Sequence, residues 1–265
     1  MNAPTYASAV EPVAQTAIHT DSSGLEAADV SIATGDGSYS MAAYYAKPSA
    51  GSKLPIVLLA HEIWSVHEYF KDLCRRLAKL GYLAVAPDLF GRQGDPTNME
   101  RDDIFPKIVS RVPDAQVMAD LDACAAWAAT RGGDANRLAM AGFCWGGRIT
   151  WLYAAHNPKL KAAVAWYGKV EGATDALHPK HPLEAARELK APVLGLYGGA
   201  DAGIPNDGVD RMREALKAAG KPSEIHTYPD TPHAFHADYR PSYRQGPAED
   251  GWSRMLEWFR GHGVS

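Results

Sequence analysis

Near the start of the chain, apolar and polar positions alternate along "ADVSIATGDGSYSMAAYYAKP", interrupted by a Gly-Asp-Gly turn. Period-two alternation on both sides of such a turn predicts an antiparallel hairpin over residues 28–48. The pattern then changes. "LPIVLLA" (54–60) and "YLAVAPDL" (82–89) are short continuous apolar runs, as in strands covered on both faces. Between them, Phe70, Leu73, Leu77 and Leu80 recur at helical spacing, and Gly81 ends the run. A second helical stripe, Val117, Leu121, Cys124 and Ala128, precedes the strand-like "NRLAMAGF" (136–143) and the helix-like "RITWLYAAHN". "KAAVAWYG", "APVLGLYGG" and "PSEIHTYP" predict three further strands. Helices are expected at 206–219 and over "EDGWSRMLEWFRG". Residues 91–113, rich in Gly, Pro and Asp, are expected to cross one end of the sheet as an irregular excursion.

Strands alternating with helices imply an α/β class, with a mostly parallel sheet and helices on both faces. Ligands bind such sheets at the carboxyl ends of the strands. The pattern shows no internal repeat, and residues 29–262 are expected to form a single domain. Residues 1–28 read as an arm, flexible or draped over the surface.

Composition narrows the function classes. The chain has 265 residues, 46% of them hydrophobic, and a formal net charge of −4 with mixed signs. No basic stripe invites a nucleic-acid partner, and no 18-residue apolar run suggests a membrane span. The first 46 residues contain no Lys or Arg, so the charged start of a secretory signal is missing. The three scattered cysteines, Cys74, Cys124 and Cys144, suit free thiols in a reducing, cytoplasmic compartment. Few exposed apolar stretches are expected, which makes a monomer the default.

The chemistry gathers at Gly142-Phe143-Cys144-Trp145-Gly146, a G-x-C-x-G turn between a strand and a helix. That context suits a nucleophile elbow, where glycines permit a tight turn that exposes the central side chain. The N-terminus of the following helix favours a thiolate. A nucleophile needs a base, and the base an orienting carboxylate, in the chain order nucleophile, acid, histidine. Asp201 in "LYGGADAGIP" and His233 in "YPDTPHAFHADYR" each follow a predicted strand, with Asp207 and His236 as rivals. The backbone N–H groups of Ile63, in the loop after the third strand, and Trp145 are the candidate oxyanion hole. Glu62 in the same loop would face the thiol and accept its proton, or hold it until substrate arrives. His61 and His67 do not fit the H-E-x-x-H zinc spacing, and His178 and His181 read as solvated loop residues. No metal or other cofactor is expected. Two other readings of the elbow remain: an amidotransferase-like cysteine enzyme, whose H-x-E signature is missing at His233, and a non-catalytic redox or ligand-binding protein. For the redox reading no resolving cysteine is apparent, since Cys74 and Cys124 lie on apolar helix stripes.

Taken together, "HEIW", "APDLFGR", "GFCWGG", "LYGGAD" and "HAFHADYRPSY" resemble the dienelactone hydrolase family, the carboxymethylenebutenolidases of the α/β-hydrolase fold, over roughly residues 28–260. The resemblance implies a Cys144–Asp201–His233 triad assisted by Glu62, with Ile63 and Trp145 as oxyanion donors. It also implies Arg92 as a ligand for the substrate carboxylate. The expected partner is a small ester or lactone. One feature departs from the family. Where family members resemble H-S-F-x-R, this chain reads His233-Ala234-Phe235-His236-Ala237, without the second carboxylate-binding arginine. Arg240, His236 and Tyr239 are the candidates to replace it.

Overall fold

The run "LPIVLLA" forms strand β3 (Leu54–Ala60), and its last six residues are buried. In the computed structural model, which describes residues 16–265, β3 lies in the middle of an eight-stranded sheet. The hairpin strands are β1 (Leu25–Ala33) and β2 (Ser40–Pro48), followed after β3 by helix α1 (Glu68–Lys79) and strand β4 (Leu83–Pro87). Next come helices α2 (Arg101–Lys107) and α3 (Asp114–Thr130), strand β5 (Gly133–Phe143), helix α4 (Trp145–His156) and strand β6 (Leu160–Trp166). A single turn α5 (Pro182–Ala185), strand β7 (Val193–Gly198), helix α6 (Asn206–Ala218), strand β8 (Glu224–Tyr228) and helix α7 (Gln245–Gly261) complete the chain. The strand order is β1-β2-β4-β3-β5-β6-β7-β8; β2 runs antiparallel to β1 and β4, and all other pairs are parallel. Parallel pairing requires crossover helices, which cover both faces and leave β4, β7 and the carboxyl halves of β3, β5 and β6 buried. The loops after β3, β5, β7 and β8 therefore emerge at one edge.

Several expectations change. Strand β1 begins at Leu25, so the arm boundary placed at residue 28 falls inside it. Residues 1–15 of that arm lie outside the described residues. The excursion at 91–113 is not wholly irregular. It contains α2 and short 3-10 turns at Pro96–Asn98 and Val109–Arg111, because Ile104, Ile108, Val109 and Val112 must reach the core. Helix α4 starts at Trp145, directly behind the elbow, and α7 starts at Gln245.

The histidines at 178 and 181 are not solvated. His178 Nε2 lies 3.1 Å from the Val112 carbonyl, and His181 is buried. Its Nδ1 accepts from Arg148 Nε at 3.2 Å, which leaves Nε2 to donate to the Ala173 carbonyl at 3.0 Å. Arg148 also holds the Asp114 carboxylate in a two-pronged pair at 2.6 and 2.8 Å, joining α4 to the start of α3. Buried pairs of this kind are vulnerable when one member is removed, since the other charge is stranded. Arg148→Met is expected to lower the unfolding free energy by about 3–5 kcal/mol. The double variant Arg148→Met/Asp114→Leu should recover much of that loss in urea titrations.

Candidate active site

Cys144 is the N-cap of α4, with φ 56° and ψ −113°, in a region that non-glycine residues enter only under strain. Its N–H donates to the Trp166 carbonyl at 3.0 Å, which fixes the elbow to the end of β6. The flanking glycines make the turn possible. A Cβ on Gly142 would lie 2.1 Å from the Gly146 carbonyl oxygen, and one on Gly146 would lie 2.2 Å from that of Ala60. Backbone thus meets backbone where α4 crosses the end of β3. Gly146 N–H donates to the His61 carbonyl at 3.1 Å, binding the loop after β3 to the elbow.

His61 holds that loop in shape. Its Nε2 accepts from the Leu89 N–H at 3.0 Å, which leaves Nδ1 to donate to the Glu62 carbonyl at 2.6 Å. The buried ring stacks on Trp145 with centroids 5.5 Å apart. Both nitrogens are thereby engaged by the backbone. No group of three potential metal-ligating side chains occurs among the described residues. Among the described residues, the N–H groups of Ile63 and Trp145 make no hydrogen bond. Two free N–H groups at the mouth of a helix can receive a developing oxyanion.

Asp201 and His233 come together from the ends of β7 and β8. His233 Nδ1 lies 2.6 Å from Asp201 Oδ2, and the other carboxylate oxygen accepts the Gly203 N–H at 2.8 Å. The Cys144 side chain lies close enough to His233 to act on its proton. Burial pulls the imidazole downward, but the Cys144 and Asp201 charges outweigh it and push His233 up to about 10. The rivals are elsewhere. Asp207 is exposed and paired with Arg211. His236 is buried, with Nδ1 2.6 Å from the Tyr69 hydroxyl, and its ring lies against Trp166 and Trp252. Burial and the nearby Arg76 charge hold His236 well below the usual histidine range.

Three expected substrate ligands have partners within the protein. His236 is a core residue. Tyr239 is also buried, and its hydroxyl donates to Glu62 Oε2 at 2.7 Å rather than pointing at open space. Arg92 forms a two-pronged pair with the buried Asp120 of α3 at 2.6 and 2.7 Å, and its guanidinium lies over the Tyr39 ring. Arg240 differs from these. Its partly buried guanidinium makes no hydrogen bond or ion pair among the described residues, yet its charge acts on Glu62, Tyr239, Cys144 and Tyr167.

Sequence reasoning missed Tyr167 and weighed His67 only as a metal ligand. Tyr167 follows β6 with φ 38°, its ring 5.1 Å from that of His233 and its buried hydroxyl without a hydrogen-bond partner among the described residues. His67 Nε2 and Glu62 Oε1 are likewise buried and unpartnered. Burial, helped by the His61 and Arg240 charges, drives His67 down to about 3, so this ring is neutral. Only the polar W-Y-G break after β6 could have drawn attention to Tyr167.

The sheet order and this cluster at its carboxyl edge define an α/β hydrolase. The family model for the dienelactone hydrolase family matches residues 41–263. A Methylorubrum extorquens protein named "Putative carboxymethylenebutenolidase" is 57% identical over 265 residues, covering 98% of this chain and 90% of that protein. A crystal structure of a Klebsiella pneumoniae "Putative Dienelactone Hydrolase" superposes with a TM-score of 0.87 at 57% identity, covering 89% of this chain and 98% of that one. A Bradyrhizobium protein, "Probable 2-oxo-3-(5-oxofuran-2-ylidene)propanoate lactonase", is 32% identical over 83% of this chain and 89% of its own length. The chain belongs to the dienelactone hydrolase family and is a carboxymethylenebutenolidase-like hydrolase of lactones and esters.

The raised His233 has a defined pH signature. Its contribution to stability is complete below the ordinary value of 6.5 and disappears as pH rises through about 10. NMR titration of the His233 ring should give a midpoint near 10 in the native protein. In Cys144→Ser that midpoint should fall, because the thiolate that opposes burial is gone.

Proposed function

We propose that the enzyme opens carboxylate-bearing enol-lactones through a thioester on Cys144, with His233 and Asp201 completing the triad. The placing of His233 between Asp201, 2.6 Å away, and Cys144, whose charge acts on the ring, carries this reading, because it aligns sulfur, imidazole and carboxylate at the mouth of α4. The thiolate attacks the lactone carbonyl and forms a C–S bond. The oxyanion is received by the N–H groups of Ile63 and Trp145. Collapse breaks the ring C–O bond, and the enolate that leaves takes the proton of the His233 imidazolium. An enolate is a good leaving group and needs little acid assistance, which suits a thiolate nucleophile.

Acylation changes the charge balance around His233. With the sulfur bound in a thioester, the strongest influence holding the proton on His233 is gone, and burial favours the neutral ring. Neutral His233 takes a proton from water, hydroxide adds to the thioester, and the thiolate leaves beside the re-formed imidazolium. Asp201 holds the ring through both steps. Glu62, with one oxygen on Tyr239 and the other unpartnered, is a second proton acceptor for the thiol.

Arg240 is the residue we assign to the substrate carboxylate. Its guanidinium is unengaged and faces the cluster, whereas Arg92 is held by Asp120. The occurrence of a 2-oxo acid lactonase among the relatives supports an acid-bearing substrate.

Cys144→Ala should lower turnover of a dienelactone by roughly a thousandfold or more, with the fold retained by circular dichroism. Rapid quenching of the native enzyme should trap one acyl group on the peptide containing Cys144. Full turnover in the variant would overturn the nucleophile assignment. Arg92→Ala should reduce stability rather than discriminate between acidic and neutral esters.

A further inference from the structure

Arg240 lies in a loop whose own hydrogen bonds are few and local: Ala237 N–H to Ala234, Arg240 N–H to Ala237 and Tyr243 N–H to Arg240, each at 3.0 Å. Such successive turns fix local shape, while His236 and Tyr239 tie the loop to Tyr69 and Glu62. Asp238, two residues before Arg240, ties it to α1. Its carboxylate is buried and paired with Arg76 of α1. Arg76 is also paired with Asp72, a second buried carboxylate one helical turn earlier.

Both ends of this acid–arginine–acid chain are closed by residues before β1. The Thr16 hydroxyl donates to the Asp238 carbonyl at 2.6 Å, and the Ile18 N–H lies toward the Asp238 carboxylate, whose charged form it favours. The Thr20 N–H donates to Asp72 Oδ1 at 2.5 Å, and the Thr20 carbonyl accepts from Arg75 Nε at 2.7 Å. The segment is thus tied to α1 at residue 20 and to the Arg240 loop at residues 16 and 18. Ala17, between the two contacts on Asp238, packs against the core.

We propose that residues 16–20 form a strap that positions Arg240, and so sets the preference for acid-bearing substrates, through Thr16 and Ile18 on Asp238. The inference rests on the reading of Arg240 as the carboxylate anchor. The bond from Thr16 to the Asp238 carbonyl fixes the peptide plane between Asp238 and Tyr239. That plane directs the Tyr239 hydroxyl to Glu62 and sends the next side chain, Arg240, toward Cys144. Thr16, Ile18 and Asp238 are positioning residues and do not touch the reacting atoms. Hydrolysis of a neutral ester needs the triad and the oxyanion hole but not the direction of Arg240, so the strap bears on KM for acids alone.

Two full-length variants test this: Thr16→Val, an exposed replacement that removes only the hydroxyl, and Ile18→Pro, which removes the N–H that lies toward Asp238. Each is assayed with a p-nitrophenyl monoester of a dicarboxylic acid and with p-nitrophenyl acetate, beside Arg240→Ala. The strap variants should raise KM for the acid ester roughly three- to tenfold, the effect of one lost hydrogen bond, with kcat unchanged. Their kcat/KM for p-nitrophenyl acetate should stay within about twofold of native. Parallel losses on both substrates, or no change on either, would overturn the strap. If Arg240→Ala shows the acid-selective penalty and the strap variants do not, the strap alone fails. If Arg240→Ala shows no such penalty, the anchor reading fails, and the role of the strap in specificity fails with it.

Discussion

Gly146 stands against the carbonyl of Ala60 with no room for a side-chain carbon. The rest of the site takes its position from this approach. Because α4 can touch the end of β3, the loop 61–63 lies beside the first N–H groups of the helix, and His61 can lock it there through Leu89 and Glu62. Because Cys144 is carried on the same turn, its sulfur lies between those donors and the loops after β7 and β8. A larger residue at 146 would separate the helix from the strand and pull the two proposed oxyanion donors apart. The strained backbone of Cys144 persists because the backbone around it is over-determined by hydrogen bonds to Trp166 and His61.

Charge at the cluster is arranged by opposing influences. Burial favours neutral rings, as at His67 and His236. His233 departs from them because the Cys144 and Asp201 charges oppose burial. Both oxygens of Asp201 are engaged, by His233 and by the Gly203 N–H. In the proposed reaction acylation would remove the charge on the sulfur, so that one histidine would hold a proton before attack and want one afterwards.

Much of the frame was legible in the chain because its signals are local. The run 54–60 coincides with β3, since an unbroken apolar stretch of that length has no other comfortable setting than a covered strand. The G-x-C-x-G turn carries its meaning in five consecutive residues, and Asp201 and His233 are marked by the strand ends before them. What was not legible depends on partners distant in sequence. Arg92 looks available until α3 brings Asp120 to it across 28 positions. His233 and His236 look interchangeable until the positive φ of Ala234 turns the chain between them. One then faces Asp201 and the other enters the aromatic core beside Tyr69. The link from Tyr239 to Glu62 joins residues 177 positions apart, and nothing in either neighbourhood announces it.

The burial of Cys74 and Cys124 has a practical side. Both are fully enclosed, and burial pushes both thiols far above the range in which they ionise near neutral pH. Cys144 alone among the three is partly open to solvent. The native chain therefore offers one addressable sulfur without any engineering. A fluorophore or a gold surface presented under mild conditions would attach to the folded chain at a single known point, the N-terminus of α4.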